Sequence, residues 1–162
     1  MPERVVDNLT IENARIIFRN FEGRQTQYNR EGDRNFCVII EDPDLADKLA
    51  EDGWNIRISK PREDDAEFEG FQPRHYLPVA VKFNPIPPKI YKVVKTNKVE
   101  LTEENVGDLD FAEITNVDLV IRPYNWEVNG KTGIKAYCKT MYVSVMEDEF
   151  ADKYSLSEET PF

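Results

Sequence analysis

The sequence predicts a mainly β fold in a single domain. Most apolar residues recur with a period of two, Gly, Pro and Asn-Gly separate the alternating runs, and only one short stretch has a helical pattern. The chain has 162 residues, of which 40% are hydrophobic, so it is long enough to bury one core.

The first predicted strand spans residues 13–21. Its alternation places Ala14, Ile16 and Phe18 on one face. The other face is then formed by Arg15, Ile17, Arg19 and Phe21.

A polar loop over residues 23–33 leads to a second predicted strand over 34–41. Asp42 and Pro43 are typical of a helix start, with an acid at the cap and Pro at the first helical position. Gly53 is expected to end this short helix before a third strand over 54–60.

The C-terminal half is predicted to be almost entirely β. Strands are expected over 76–83, ended by Pro85, and over 89–95, followed by one helical turn at 102–105. The clearest element is a long hairpin, residues 113–128 and 132–146, around Asn129-Gly130, the dipeptide that favours a type I′ turn.

Five or more strands, long hairpins, one short helix and no βαβ rhythm predict an OB-fold-like closed barrel. A two-sheet sandwich is the alternative. We expect a binding domain over residues 1–146 and a mobile acidic C-terminal tail over 147–162, which holds six acids and one lysine.

The charge is unevenly distributed along the chain. The net charge is −10, yet residues 70–99 contain six basic and no acidic residues. Residues 119–146 contain four basic residues and one acid. An acidic protein with basic strands is compatible with a basic binding groove.

Catalysis and metal binding are poorly supported. His75 is the only histidine, no nucleophile or phosphate-loop motif occurs, and no CxxC or HxxxH pair is present. We therefore expect no enzyme, no metal and no cofactor.

Cys37 and Cys138 are interpreted as free thiols, with a disulfide left open. No apolar run could span a membrane, and a cytoplasmic location is expected.

Single-stranded nucleic acid is bound by cations that contact phosphates and by flat rings that stack on bases. Four predicted strands each place such residues on one face. The rows are Arg15, Arg19 and Phe21; Lys89, Tyr91 and Lys95; Arg122, Tyr124 and Trp126; and Lys135, Tyr137 and Lys139. In any one strand these can be solvent-facing residues, but the four rows together favour binding.

The chain ends in an acidic run closed by Pro-Phe. A terminal ring with a carboxylate, preceded by acids, suits an apolar pocket with a basic rim on another protein. The residues of this predicted docking tip are Glu158, Glu159, Pro161 and Phe162.

The sequence resembles phage-encoded single-stranded DNA-binding proteins in this tip and in three runs of the body, Asn8 to Arg15, Ile121 to Val128 and Lys139 to Val143. The resemblance implies an OB-fold core and an acidic tail that recruits replication or recombination proteins. The expected function is to coat single-stranded DNA, and a homodimer is left open. The rivals are a phage structural or protein-interaction module without nucleic-acid binding and an enzyme with a carboxylate site in the acidic loops.

Overall fold

A computed structural model describes residues 7–27, 29–59 and 74–146. The predicted acidic tail, including the docking tip, lies outside the described residues. In chain order the elements are β1 (Leu9–Ala14), β2 (Ile16–Asn20), β3 (Arg34–Ile40), α1 (Pro43–Asp52), β4 (Arg57–Ile58), β5 (His75–Val81), β6 (Lys89–Val94), β7 (Asn97–Leu101), a 3₁₀ helix (Val106–Asp110), β8 (Ile114–Val128) and β9 (Lys131–Val145).

The nine strands of the described ranges form one sheet. Its main path runs β1-β8-β9-β5-β3-β2, with β4 paired to β5 and with β6 paired to both β7 and β9. The mainly β fold with one α-helix is confirmed for the described residues. The predicted closure is not seen among the described strands, because β1 and β2 form the two ends of an open path.

The long hairpin is as predicted. β8 and β9 pair antiparallel from Ile114↔Val145 to Val128↔Lys131. Asn129 and Gly130 have φ of 52° and 80°, the left-handed values that a type I′ turn requires at both central positions. This hairpin provides the backbone on which most of the candidate site is built.

The helix α1 also forms where its capping residues predict it. The Asp42 carboxylate accepts the Asp44 amide at 3.0 Å, and Pro43 occupies the first turn. Gly53 ends the helix in the left-handed conformation, with φ of 110°. Ala46 and Leu49 are the helix residues buried against the sheet.

The predicted strand over residues 13–21 was wrong. It is divided into β1 and β2, with positive φ at Asn13 and at Phe18, and the β2–β3 register shifts between Ile17 and Asn20. The shift reverses the alternation. Phe18 becomes 67% exposed, and Phe21 is fully buried.

Two further expectations need correction. In the described part of the third predicted strand (54–60), residues 54–59, the structure has only the two residues of β4 and an isolated bridge at Trp54. Conversely, β7 was not predicted, although it forms a complete hairpin with β6 through five residue pairs.

Inward side chains from most strands form one core. It includes fully buried residues of β3, β5, β6, β8 and β9, together with Trp54, which was predicted to be a core residue. The largest fully buried side chains of the core are Phe21, Phe36, Leu77, Ile90, Leu109, Leu119, Ile121 and Met141.

Phe21 and Phe18 allow a matched test of the register shift. Phe21 stacks on Phe36 with ring centroids 5.2 Å apart, so Phe21→Ala should lower the free energy of unfolding by about 3–5 kcal/mol. Phe18→Ala should cost under about 1 kcal/mol, because its ring is largely exposed. Urea denaturation checks both variants, and equal losses would contradict the register described here.

Candidate nucleic-acid interface

A groove of about 810 Å³ lies on the outward face of β3, β5 and β9. Because Phe36 and Val38 point into the core, alternation turns Asn35 and Cys37 outward on β3. Pro78 and Ala80 face outward on the paired strand β5. The central part of the groove floor is therefore uncharged and formed by small side chains, so a flat base could approach it closely.

The β8–β9 hairpin forms one wall of this groove. Its register sets Arg122 opposite Tyr137 and Tyr124 opposite Lys135. All four side chains lie on the outward face, since the intervening Ile134 and Ala136 are buried. The predicted rows on the two strands of the hairpin therefore combine into one surface.

Tyr137 is the centre of a compact group of rings and cations, which we call the hairpin cluster (Arg122, Tyr124, Lys135 and Tyr137). The Tyr124 ring meets the Tyr137 ring edge-on, with centroids 6.1 Å apart. The Arg122 guanidinium carbon and the Lys135 ammonium lie 5.6 Å and 5.3 Å from the Tyr137 ring centroid. Such contacts hold cations beside an aromatic surface, the combination that single-stranded DNA requires.

Trp126 continues the same row towards the hairpin turn. It lies opposite Gly133, where a Cβ atom would come within 2.6 Å of Trp126 Cζ2. The indole therefore packs directly on the Gly133 backbone and still keeps 37% of its surface exposed. Trp126 and Gly133 both line the groove.

The groove is rimmed mainly by positive charge. Its charged lining consists of four cations, Arg30, Arg34, Lys82 and Lys135, and one carboxylate, Asp33. Arg30 pairs with Asp33 at 3.3 Å, and Arg34 pairs with Glu103 at 3.5 Å. Lys82 and Lys135 form no ion pair within the described part of the chain, which leaves them available to phosphates.

Cys37 provides a reporter inside the groove. Burial raises the pKa of its thiol to about 11, although the nearby Arg57 charge acts in the opposite direction. Cys138, on the core side of β9, has its pKa raised by burial to about 12. Both cysteines are free thiols.

Three residues of the first predicted row lie outside the groove lining. Arg15 is exposed between β1 and β2, where it pairs with Glu41 at 3.7 Å. The Arg19 guanidinium donates to the Leu109 and Ala112 carbonyls, both at 2.8 Å, and so supports the fold. Phe21 is a core residue, so its predicted contact with bases is wrong.

The remaining predicted residues lie outside the groove lining. Lys89 and Tyr91 share one face of β6, and Lys95 occupies the β6–β7 turn with φ of 54°. Lys139 is the extra residue of a bulge in β9, because Val120 pairs with Thr140 whereas Ile121 pairs with Cys138. Lys139 remains exposed.

Sequence reasoning missed two aromatic pairs on this surface. Phe18 meets Tyr76 edge-on at 5.9 Å, and Tyr142 stacks on Tyr91 at 4.9 Å. Tyr142 shares the outward face of Tyr137 only because of the bulge at Lys139, which no local pattern in the sequence marks. The other pair depends on the β2 register shift and had no local signal.

The surface around the 3₁₀ helix has the opposite charge. A small pocket there is lined by four acids, by one cation, Arg34, and by the exposed ring of Phe111. The Arg24 guanidinium carbon lies 5.4 Å from the Phe111 ring centroid, so the acids outnumber the cations around this ring. The acids are Glu22, Glu103, Glu104 and Asp108. This surface is unsuited to a polyanion, and Phe111 is therefore a natural control for an exposed ring outside the interface.

In the described ranges, no three potential ligands among His, Cys, Asp and Glu are grouped to hold a metal ion. Nor does any described helix combine the length and apolarity needed to cross a membrane.

Solved structures share this fold at low sequence identity. The single-stranded DNA-binding protein of bacteriophage Enc34 in complex with ssDNA gives a TM-score of 0.52 and 10% identity, over 88% of this chain and 89% of that chain. A C-terminal truncation of the Enc34 protein gives 0.51 and 12%, over 87% of each chain. The single-stranded DNA-binding protein gp2.5 of bacteriophage T7 is less similar, with a TM-score of 0.40 and 10% identity over 96% of this chain and 95% of that chain.

Curated proteins give no match to this sequence. The family model of the phage ssDNA-binding domain, in contrast, matches residues 2–160, almost the whole length of the chain. The chain therefore belongs to the family of phage single-stranded DNA-binding domains.

Proposed function

We propose that this protein coats single-stranded DNA along the groove and the hairpin wall, without catalysing a reaction. The observation that carries the proposal is the hairpin cluster, in which two cations and two tyrosine rings share the outward face of β8 and β9. Family membership supports the same function. The similarly folded Enc34 protein was solved in complex with ssDNA, which supports the proposed ligand.

The division of labour follows from the chemistry of each side chain. Tyr137, Tyr124 and Trp126 offer ring faces and edges to bases, and every base has a π-face, so little sequence preference is expected. Lys82, Lys135 and Arg122 neutralise phosphates and release counterions, which favours binding without reading sequence. The uncharged floor beside Cys37 leaves room for bases between these two sets.

An OB-fold-like barrel remains part of the proposal. The two ends of the open sheet path, β1 and β2, are consecutive in the chain and are joined at Arg15. A strand bent at this position can bring both ends of the sheet around one core, as in a partly open barrel. The fold similarity to the Enc34 structures supports this arrangement.

The proposed setting is DNA replication or recombination in the host cytoplasm. Residues 1–146 form the binding domain, and residues 147–162 recruit replication or recombination proteins through Glu158, Glu159, Pro161 and Phe162. The acidic tail also competes with DNA for the basic groove.

One titration tests both the function and its location. A dye-labelled oligo-dT is titrated with protein and followed by fluorescence anisotropy, while Cys37 alkylation at pH 8 is measured by peptide mass spectrometry. Only roughly one thiol in a thousand is ionised three pH units below its pKa, so labelling is slow and easily timed. Labelling should slow in proportion to the fraction of protein bound.

The two readouts separate the ways in which the proposal can fail. Binding with unprotected Cys37 would place the DNA outside the groove. An unchanged anisotropy at low salt and micromolar protein would mean that the chain does not bind single-stranded DNA.

A further inference from the structure

Tyr91 and Tyr142 form a second aromatic surface away from the groove. Their rings are nearly parallel, with an interplanar angle of 17° and centroids 4.9 Å apart. The Lys98 ammonium lies 4.8 Å from the Tyr91 centroid and 5.6 Å from the Tyr142 centroid. We call these three residues the distal cluster.

The distal cluster is built from three different strands. β6 pairs parallel to β9 and places Tyr91 beside Tyr142, whereas β7 pairs antiparallel to β6 and brings Lys98 to the same face. Ile90 and Met141 are fully buried beneath this face. The core below therefore supports the pair, and Tyr142 keeps 37% of its surface exposed.

The charges around the cluster leave Lys98 available. Within the described part of the chain Lys98 forms no ion pair. Two acids flank the tyrosines in the ladder, Asp118 opposite Tyr142 and Glu100 opposite Tyr91. The Asp118 carboxylate accepts the Asn13 amide at 3.0 Å, so one of its oxygens is already occupied.

The outward face of β9 connects the distal cluster to the hairpin cluster. Tyr137 and Tyr142 are five residues apart on one strand, or roughly 16 Å at about 3.3 Å per residue. The bulged Lys139 lies between them on β9, and Lys89 lies opposite Thr140 on the neighbouring strand β6. Two aromatic surfaces are thus joined by two exposed lysines.

We propose that the distal cluster is a second nucleotide-binding site, which holds a base and a phosphate of the DNA strand that occupies the groove. The exposed part of the Tyr142 ring stacks on the base, and Lys98 contacts the adjoining phosphate. Lys89 and Lys139 neutralise the phosphates between the two clusters. This inference rests on the proposed function. It directs the bound DNA strand along β9, towards β6 and β7.

Oligonucleotide length provides the test, because a short strand can occupy only one of the two clusters. The full chain and its Tyr142→Ala and Lys98→Ala variants are titrated with dT4 and dT16, lengths that bracket about 4–16 nucleotides per OB-fold. Tyr142→Ala should weaken dT16 binding by about fivefold or more, the lower limit for loss of one stacked base. Lys98→Ala should lower the salt dependence of dT16 binding by about one phosphate contact. Neither change should alter dT4 binding, since this short oligonucleotide should occupy the groove, which holds more cations than the distal cluster.

Controls distinguish loss of this site from loss of the fold. Tyr142→Phe keeps the ring and should bind dT16 like the parent chain, and Phe111→Ala removes an exposed ring in acidic surroundings. If Tyr142→Ala fails to fold, Lys98→Ala on the exposed strand β7 becomes the variant that tests whether the distal cluster binds DNA. Unchanged dT16 binding in the decisive variants, or equal weakening of dT4 and dT16, would overturn the distal site while leaving the proposed function intact. Failure of the parent chain to bind either oligonucleotide would overturn both.

Discussion

Raising the salt concentration from about 50 to 200 mM should weaken single-stranded DNA binding about 50-fold. The logarithm of the affinity falls with the logarithm of the salt concentration by about 0.7 for each phosphate neutralised on a single strand. Four contacts at the groove and the β8–β9 hairpin, for which Lys82, Arg122, Lys135 and Lys139 are the candidates, give a slope of about −2.8 without counting Lys89 or Lys98. The overall charge of −10 does not prevent this, because the charged residues that line the groove are four cations and one carboxylate.

Charge-neutral variants test which cations are responsible. The double variant Lys82→Gln and Lys135→Gln removes two of the four candidates. The slope should therefore become shallower by about 1.4, from about −2.8 to about −1.4. Lys48→Gln removes the same type of charge from the exposed side of α1 and should leave the slope unchanged. A parent affinity that does not respond to salt would contradict phosphate contacts on this face.

Replacing Tyr137 by Ala should produce the largest loss from any single ring. Tyr137 lies at the centre of the hairpin cluster and also lines the groove, so its removal eliminates a stacking surface and loosens both neighbouring cations. The expected cost is about 1–3 kcal/mol for one stacked base, or roughly 5- to 150-fold in the dissociation constant. Anisotropy with oligo-dT at fixed salt measures it.

Tyr137→Phe and Phe111→Ala are the matched controls. The first retains the ring and should bind within about twofold of the parent chain if stacking, rather than the hydroxyl, provides the contact. The second removes a ring that is 76% exposed beside the acidic pocket and should bind like the parent. If Tyr137→Ala binds normally and remains folded, the hairpin cluster is not the binding surface.

The hairpin part of the candidate site could be read directly from the sequence. Asn129-Gly130 determines the turn type, and the turn determines which residues of β8 and β9 face each other. A period of two then places Arg122, Tyr124 and Trp126 on the same side as Lys135 and Tyr137. The two ends of α1 could also be predicted from the sequence, since the capping residues Asp42 and Gly53 act on backbone groups only a few residues away.

Features that depend on backbone irregularities could not be predicted in this way. Phe18 and Phe21 exchanged their expected environments because Phe18 adopts positive φ and the β2–β3 register shifts beside it. Nothing in the side-chain pattern of residues 13–21 marks the position of that shift. The bulge at Lys139 similarly reverses the alternation between Tyr137 and Tyr142.

By itself, the sequence determined the strand-rich class, the hairpin register, the helix caps and the separation of basic strands from acidic segments, because turn chemistry, period and charge act over a few residues. Only the tertiary structure decided which rings meet. Tyr91 and Tyr142 are neighbours because β6 pairs parallel to β9, and the groove exists because β5 lies between β3 and β9. Such pairings join residues tens of positions apart and are selected by burial of a shared core, which a local pattern does not encode.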